Sequence, residues 1–260
     1  MSTQKSPDTY AAPALVKGLE ILEFLATSHE PVTPTEMARA LGRSSGEQFR
    51  MLAVLQQLGY IRRDSSGAFS PTLKLFCLGQ QTRPVEQLLQ VARGPMRRYS
   101  EATGQECHLS TIEDGRLVVL AQQSGAQAVT VYVRPGSAHH PAHTISGRLL
   151  LAQLCGEELN WHLRRASEQF SEKMPGGAAL KKGLDEMNGH AIGRAMNESM
   201  KGIADIGIRL AGPCSGLHVV LASSWLHTAL DKVKQEILER RLREAVERIE
   251  RELGASSPAQ

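Results

Sequence analysis

The sequence predicts an α+β protein in two parts: a head of three helices closed by a hairpin, and a larger module of strands among helices. Three observations carry this expectation. Two helix-start signals stand close together on either side of Gly42. The residues after the second helix switch to short extended runs around Asp64-Ser-Ser-Gly67. Beyond residue 104, apolar runs of strand length recur between and before amphipathic stretches. A length of 260 residues agrees with two domains.

Residues 1–12 are small and polar and predict a disordered tail. From Ala14, apolar residues at Leu15, Leu19, Leu22 and Phe24–Leu25 recur at helical spacing, and this helix ends near Ser28. Thr33 followed by Glu36 forms a capping box with Pro34 at the first helical position, opening a helix to Leu41. Ser44 and Glu47 repeat the signal. They open a second helix with Phe49, Leu52 and Leu55 on one face, ending near Gly59. Two helices joined by a short Gly-containing turn form a helix-turn-helix. Tyr60–Arg63 and Ala68–Pro71 flank the turn cluster as a hairpin, which makes the head winged.

A hinge is expected near Gln80–Val85. The domains are therefore read as 13–80 for the head, 81–103 for a linker helix and 104–255 for the second domain. There, Cys107–Ile112, Leu117–Gln122, Val129–Val133, Ile203–Leu210 and Leu217–Ser223 are strand candidates. Thr144–Leu154, Glu157–Phe170 and Ala178–Met187 are helix candidates. Leu226–Leu253 predicts one long charged helix with Leu230, Val233, Ile237, Leu242, Val246 and Ile249 on its apolar stripe.

Composition excludes several classes. Apolar residues at 41% and charged residues at 22% exclude a wholly disordered or collagen-like chain. No apolar run approaches the ~20 residues of a membrane span. The opening MSTQKSPDTYAAP has no apolar leader core, so a cytoplasmic protein without membrane contact is expected. Cys77, Cys107, Cys155 and Cys214 form no CxxC pair, which predicts reduced thiols rather than a zinc site, with Cys107 the first candidate for a thiol sensor.

The net charge of +3 says little about nucleic acid. Locally, residues 1–83 hold nine Lys and Arg against seven Asp and Glu. So small an excess neutralises few phosphates, and pairing of heads in a homo-oligomer would double the contacts. A recognition helix points its N-terminal residues at base edges, where Arg can pair with guanine and Gln with adenine. The DNA-facing set is then Thr33, Arg43, Ser44, Ser45, Gln48, Arg50, Arg62 and Arg63. Ser45, Gln48 and Arg50 read bases, and Arg43, Arg62 and Arg63, with Lys74, hold the backbone.

In the second domain, His139-His140-Pro-Ala-His143 lacks the spacing of a zinc helix, so no metal is expected. The loop instead enters a helix whose Thr144 and Ser146 hydroxyls and following amides face either a small anion or simply the helix cap. Asp205 lies inside Gly202-Ile-Ala-Asp-Ile-Gly-Ile208 and needs a partner or a ligand. Alternation sets Ile203, Asp205 and Gly207 on one face. No G-x-S-x-G elbow, Walker A loop or G-x-G-x-x-G is present, and no cofactor is expected.

These residues, in order, resemble the IclR family of bacterial transcriptional regulators. In the head the match runs through Ala14-Leu-Val-Lys-Gly-Leu-Glu-Ile-Leu22, Pro31-Val-Thr, Glu36-Met-Ala-Arg-Ala-Leu-Gly42, Arg50-Met-Leu52 and Leu58-Gly-Tyr60. It continues through Thr103-Gly-Gln-Glu-Cys-His-Leu109, Val133-Arg-Pro-Gly136, Ser146-Gly-Arg148 and Gly189-His-Ala191, covering residues 13–254. The resemblance implies a GAF-like effector-binding domain, double-stranded operator DNA as partner, and a dimer or tetramer. It further implies control of a catabolic operon by a small organic, sugar or aromatic acid. The effector-binding set it points to is His143, Thr144, Ser146, Gly147, Asp205 and Ser223. The recognition helix departs from the family's usual opening at Gly46, Glu47 and Phe49. Asp205 stands where many members carry Cys, and either a hydroxylated effector or a structural pairing accounts for it. A redox-sensing regulator and a small-acid hydrolase are the alternatives.

Overall fold

A computed structural model describes residues 12–81, 83–171, 177–211, 217–227 and 232–254. The expected tail, apart from residue 12, lies outside the described residues. The chain divides into two units, Met1–Thr82 and Arg83–Gln260.

In the first unit, α1 (Pro13–Thr27) buries Ile21, Leu22 and Leu25. Its inward stripe starts later than the spacing predicted, because Leu15 and Leu19 are exposed. Helix α2 (Pro34–Ala40) opens on a reciprocal cap. The Glu36 N–H donates to Thr33 Oγ1 at 3.3 Å and the Thr33 N–H donates to the Glu36 carboxylate at 2.9 Å. The Thr33 hydroxyl and amide hold the Glu36 carboxyl below its usual range. Gly42, at φ +61°, takes the left-handed conformation that the turn demands. Helix α3 (Ser45–Gln57) follows, with Ser44 accepting from the Glu47 N–H at 3.4 Å.

Strand β1 (Ile61–Arg63) pairs antiparallel with β2 (Phe69–Pro71), setting Arg62 opposite Ser70. Asp64 organises the turn by accepting from the Ser66 and Ala68 N–H groups at 2.9 and 3.0 Å. Val32 bridges to Phe69 and ties the α1–α2 connection to the hairpin. Helix α4 (Lys74–Gln80) completes the unit. Ile21, Met37, Leu52, Ile61 and Phe69 fill its core. This is a winged helix-turn-helix.

The second unit begins with α5 (Arg83–Thr103) and β3 (Cys107–Glu113), β4 (Arg116–Gln123) and β5 (Ala138–His139). A 3-10 turn, Pro141–His143, leads into α6 (Ile145–Leu151), α7 (Gly156–Gln169) and α8 (Gly177–Met187). Then come β6 (Ile192–Met196), β7 (Ile203–Arg209), β8 (Val219–Leu226) and α9 (Lys232–Glu252). The strands form one antiparallel sheet in the order β5-β4-β3-β8-β7-β6. One face packs Cys107, Leu109, Ile206 and Leu221 with Tyr99 of α5 and Leu242 of α9. The other packs Leu117, Val220 and Ala222 with Ile145 and Leu149 of α6. The unit is therefore α+β, with the sheet covered on both faces.

Three expectations are corrected. Val129–Val133 is not a strand, because the chain returns to β4 only at Gly136 and Ser137, whose backbone pairs with Val119. Leu226 ends β8 instead of opening the last helix. Of that helix's stripe, Leu230 and the Val233 side chain lie outside the described residues, and Ile237 is exposed while Leu238 is buried.

Asp114 and Gly115 turn β3 into β4 with φ of +47° and +74°, as a tight hairpin requires. Arg165 of α7 grips Asp114 through two hydrogen bonds of 2.7 and 2.9 Å. Gly147 allows α6 to meet the preceding turn, since a Cβ there would lie 2.1 Å from the Pro141 carbonyl oxygen. Gly147→Ala is expected to destabilise the protein by about 1–3 kcal/mol, the range for overpacking. Gly183→Ala, with open space around it in α8, should stabilise by about 0.5–1 kcal/mol. Thermal melts of both variants check the contrast.

Candidate functional site

The head presents α3 as its outward element. Buried residues at Gln48, Leu52 and Leu55 mark the inward face, and Gly46, Glu47, Phe49, Arg50 and Ala53 are exposed. Arg50 has no ion-pair partner among the described residues. Glu47, which would repel phosphates, is engaged by Lys17 Nζ at 2.8 Å. That bond, the Lys17 charge and contact with Ser44 hold its carboxyl below the usual range. Arg62 and Arg63 are exposed on β1. Arg62 Nε donates to Ser70 Oγ at 3.1 Å and Arg63 Nε to the Gly67 carbonyl at 3.2 Å, which steadies both on the hairpin.

Other predicted head residues have structural duties. Arg43 pairs with Glu20 of α1. Thr33 and Ser44 cap α2 and α3. Lys74 Nζ donates to the Leu58 carbonyl at 2.6 Å, at the end of α3. Ser45 begins α3, but its side chain lies outside the described residues. Gln48 is a correction: it is 1% exposed, so it does not face a base edge in this conformation. The inward face runs 48, 52, 55, and Phe49 belongs outside it. Both amide atoms of Gln48 are buried without a hydrogen-bond partner among the described residues.

The second unit holds a cavity of about 640 Å³, within the usual range for small-molecule sites. Strands β3, β7 and β8 provide its floor through His108, Ser110, Asp205 and Ser224. Thr144 and Ser146 at the start of α6 form one side, and residues 129–134 with Met200 form an apolar mouth. Asp205, 7% exposed, accepts from Ser224 Oγ and Ser199 Oγ, each at 2.6 Å. Those hydroxyls spend their protons on the carboxylate, so the floor around Asp205 presents acceptors.

Beneath the floor, Glu106 is fully buried. It accepts from the Ser224 N–H at 2.6 Å and lies 3.2 Å from His108 Nδ1. Burial alone would lower the His108 pKa. The charge and hydrogen bond of Glu106, with the charge of Asp205, outweigh it and hold the imidazole above its ordinary value.

Three predicted effector residues do not line the cavity. Ser223 points elsewhere on β8, donating to the Glu106 carbonyl at 2.6 Å. Its neighbour Ser224 takes the floor position, a one-residue change of face. The Gly147 N–H donates to Thr144 Oγ1 at 3.1 Å, so this amide is used by the helix cap. His143 closes the 3-10 turn beside the cavity residues without lining it. His108 and Ser110 were overlooked, although alternation with Cys107 and Leu109 marks them as the polar face of β3. Cys107 is fully buried and burial pushes its thiol well up, which removes it as a reactive sensor. Among the described residues, no group of three or more His, Cys, Asp or Glu is arranged to hold a metal ion. Nor, among them, is any helix long and apolar enough to cross a membrane.

Two measurements check this geometry. Gln48→Leu should stabilise the head by about 1–3 kcal/mol, since it replaces an unpartnered buried amide; thermal or urea unfolding reads it. The fold favours protonated His108. Its contribution is complete below the unfolded value of about 6.5 and is lost as pH rises through the raised folded value. The parent's melting temperature should therefore fall above that window, with a flatter profile for His108→Gln. Buried His162 is shifted downward by desolvation, so its own effect lies below the window.

Comparison with known proteins agrees with both halves. The model of the IclR helix-turn-helix domain matches residues 14–65, and that of the bacterial transcriptional regulator IclR C-terminal domain matches residues 81–251. The chain is 26% identical over 207 residues to the HTH-type transcriptional regulator KdgR of Escherichia coli, covering 78% of each chain. It is 26% identical over 164 residues to the acetate operon repressor of Salmonella typhimurium, covering 62% of this chain and 60% of the repressor. An IclR homologue from Microbacterium hydrocarbonoxydans, solved with 4-hydroxybenzoate, shares the fold at a TM-score of 0.75 and 20% identity, over 94% of this chain and 100% of that one. With one model matched to the winged head and the other to the sheet that carries the cavity, the chain belongs to the IclR family of bacterial transcriptional regulators.

Proposed function

We propose that this regulator reads double-stranded operator DNA through Arg50 and responds to a small hydroxylated acid held in the cavity above Asp205. Arg50 supports the first part: it is exposed on the first half of α3, where a recognition helix meets base edges. Arg62 and Arg63, exposed on the wing, supply phosphate contacts. Arg43 serves them indirectly by fixing α1 against the turn before α3.

The observation that carries the effector reading is Asp205 on a cavity floor, its carboxylate already accepting from two serines. The Asp205 carboxylate favours a ligand hydroxyl at its own point of the floor. The Microbacterium homologue's 4-hydroxybenzoate has both a hydroxyl and an acid group, which supports this class. The acetate operon repressor supports a catabolic operon as target. Relatives named as regulators support a non-enzymatic, cytoplasmic role. The exposed Leu15, Val16 and Leu19 of α1 offer an apolar surface for assembly into a dimer or tetramer. Effector binding would act by favouring one arrangement of paired heads.

Binding to the intergenic DNA upstream of the chain's own and adjacent genes tests the reading. Arg50→Ala should lose specific affinity by about tenfold or more, the loss of one bidentate base contact. Unchanged affinity and selectivity would overturn the assignment. For the cavity, 4-hydroxybenzoate should raise the melting temperature, and Asp205→Asn should weaken its binding by about tenfold, as for a charge-assisted hydrogen bond. An Asp205→Asn variant that binds equally well removes Asp205 from the site.

A further inference from the structure

We propose that Phe49 is a specificity residue that reads thymine by covering its 5-methyl group in the major groove, beside the base met by Arg50. This rests on the reading that α3 is the recognition helix. The starting observation is a break in the hydrophobic pattern of α3. At position 48 a polar amide is buried with neither polar atom partnered among the described residues, and at position 49 a phenyl ring is 71% exposed. Stability alone would favour the opposite order, an apolar side chain inward and a polar one outward. The helix cannot roll to correct this, because Leu52 and Leu55 hold the same inward face in the core. Local rules broken at a structural cost mark functional positions.

The ring also has a chemical preference. It offers no hydrogen-bond donor or acceptor, so base polar edges give it nothing. Among the groups displayed in the major groove, the thymine 5-methyl is the apolar one, and Phe is among the side chains that contact it. Ala53, exposed one turn further along α3, continues the apolar strip. Arg50 adjoins the strip, and Lys17 has taken up the charge of Glu47 on the same end of the helix. The surface around Phe49 is thus suited to a polyanion rather than to an apolar protein groove.

The test uses the full-length protein. A bound sequence is first enriched from a random duplex library with the parent. Each thymine of that sequence is then replaced singly by deoxyuridine, which removes only the methyl group, and affinities are measured at one fixed salt concentration. At one or two positions the parent should bind thymine about fourfold more tightly than uracil, the value of one buried methyl. Phe49→Ala should bind the two forms equally there, while Arg50→Ala, though weaker overall, keeps the preference. Phe49 is exposed, so its variant should melt like the parent. A parent with no thymine preference, or a Phe49→Ala protein that retains it, overturns the proposal. So does a Phe49→Ala protein whose assembly state falls in sedimentation, since the ring then meets another copy of the chain. If the parent enriches no sequence, the DNA reading fails, and this proposal with it.

Discussion

Glu106 has no contact with solvent, and its need for partners sets much of what lies above it. The paired run between β3 and β8 begins at His108 opposite Ala222. Before that point the seam is closed by Glu106 itself. Its carboxylate takes the Ser224 N–H and its carbonyl takes the Ser223 hydroxyl. A buried carboxylate left without such bonds would cost several kcal/mol, on the order seen for unpaired buried charge. The same carboxylate raises the His108 pKa against the effect of burial, and Ser224, anchored from below, is free to donate its hydroxyl to Asp205. The polarity of the cavity floor therefore follows from one acid placed under it.

In the head, the governing constraint is the division of α3 into two faces. The inward face joins Met37 of α2, Ile21 of α1 and Phe69 of the wing in one core. Side chains at the ends of the elements are spent on fixing that arrangement. Thr33 and Ser44 cap, Arg43 pairs with α1, and Lys74 meets the last carbonyls of α3. Once these are subtracted, Phe49, Arg50, Arg62 and Arg63 remain among the candidate contacts. The caps and braces hold the helices in place and leave the exposed side chains to face a partner.

The two-part α+β organisation was legible because its signals are local. The boxes at Thr33 and Ser44, the glycine turn at Gly42 and the cluster Asp64–Gly67 each act within a few residues. The phase of α3 was not legible. Residues 48 and 49 differ by one position, and composition favours burying Phe, whereas the three-dimensional core takes Gln48. The same one-residue sensitivity separates Ser223 from Ser224 on β8. Alternation did set Ile203 and Asp205 on a common face, and both line the cavity. The roles of Glu106 and Ser199 were invisible, because their bonds to Ser224 and Asp205 join parts of the chain whose register only the folded sheet defines. The apolar run at Val129–Val133 has the pattern of a strand, but no strand among the described residues pairs with it, and it borders the cavity mouth instead.

The separation of the faces of α3 has an evolutionary consequence. Side chains that pack the head and side chains exposed on its outer face sit at different positions on the same short helix. Exposed substitutions away from special features usually change stability by less than about 0.5 kcal/mol. Residues 46, 49, 50 and 53 can therefore drift with little effect on folding, while the core positions hold the architecture constant. A gene duplicate would reach a new target sequence by single, nearly neutral steps, and retargeting of one copy need not disturb the sensor it carries.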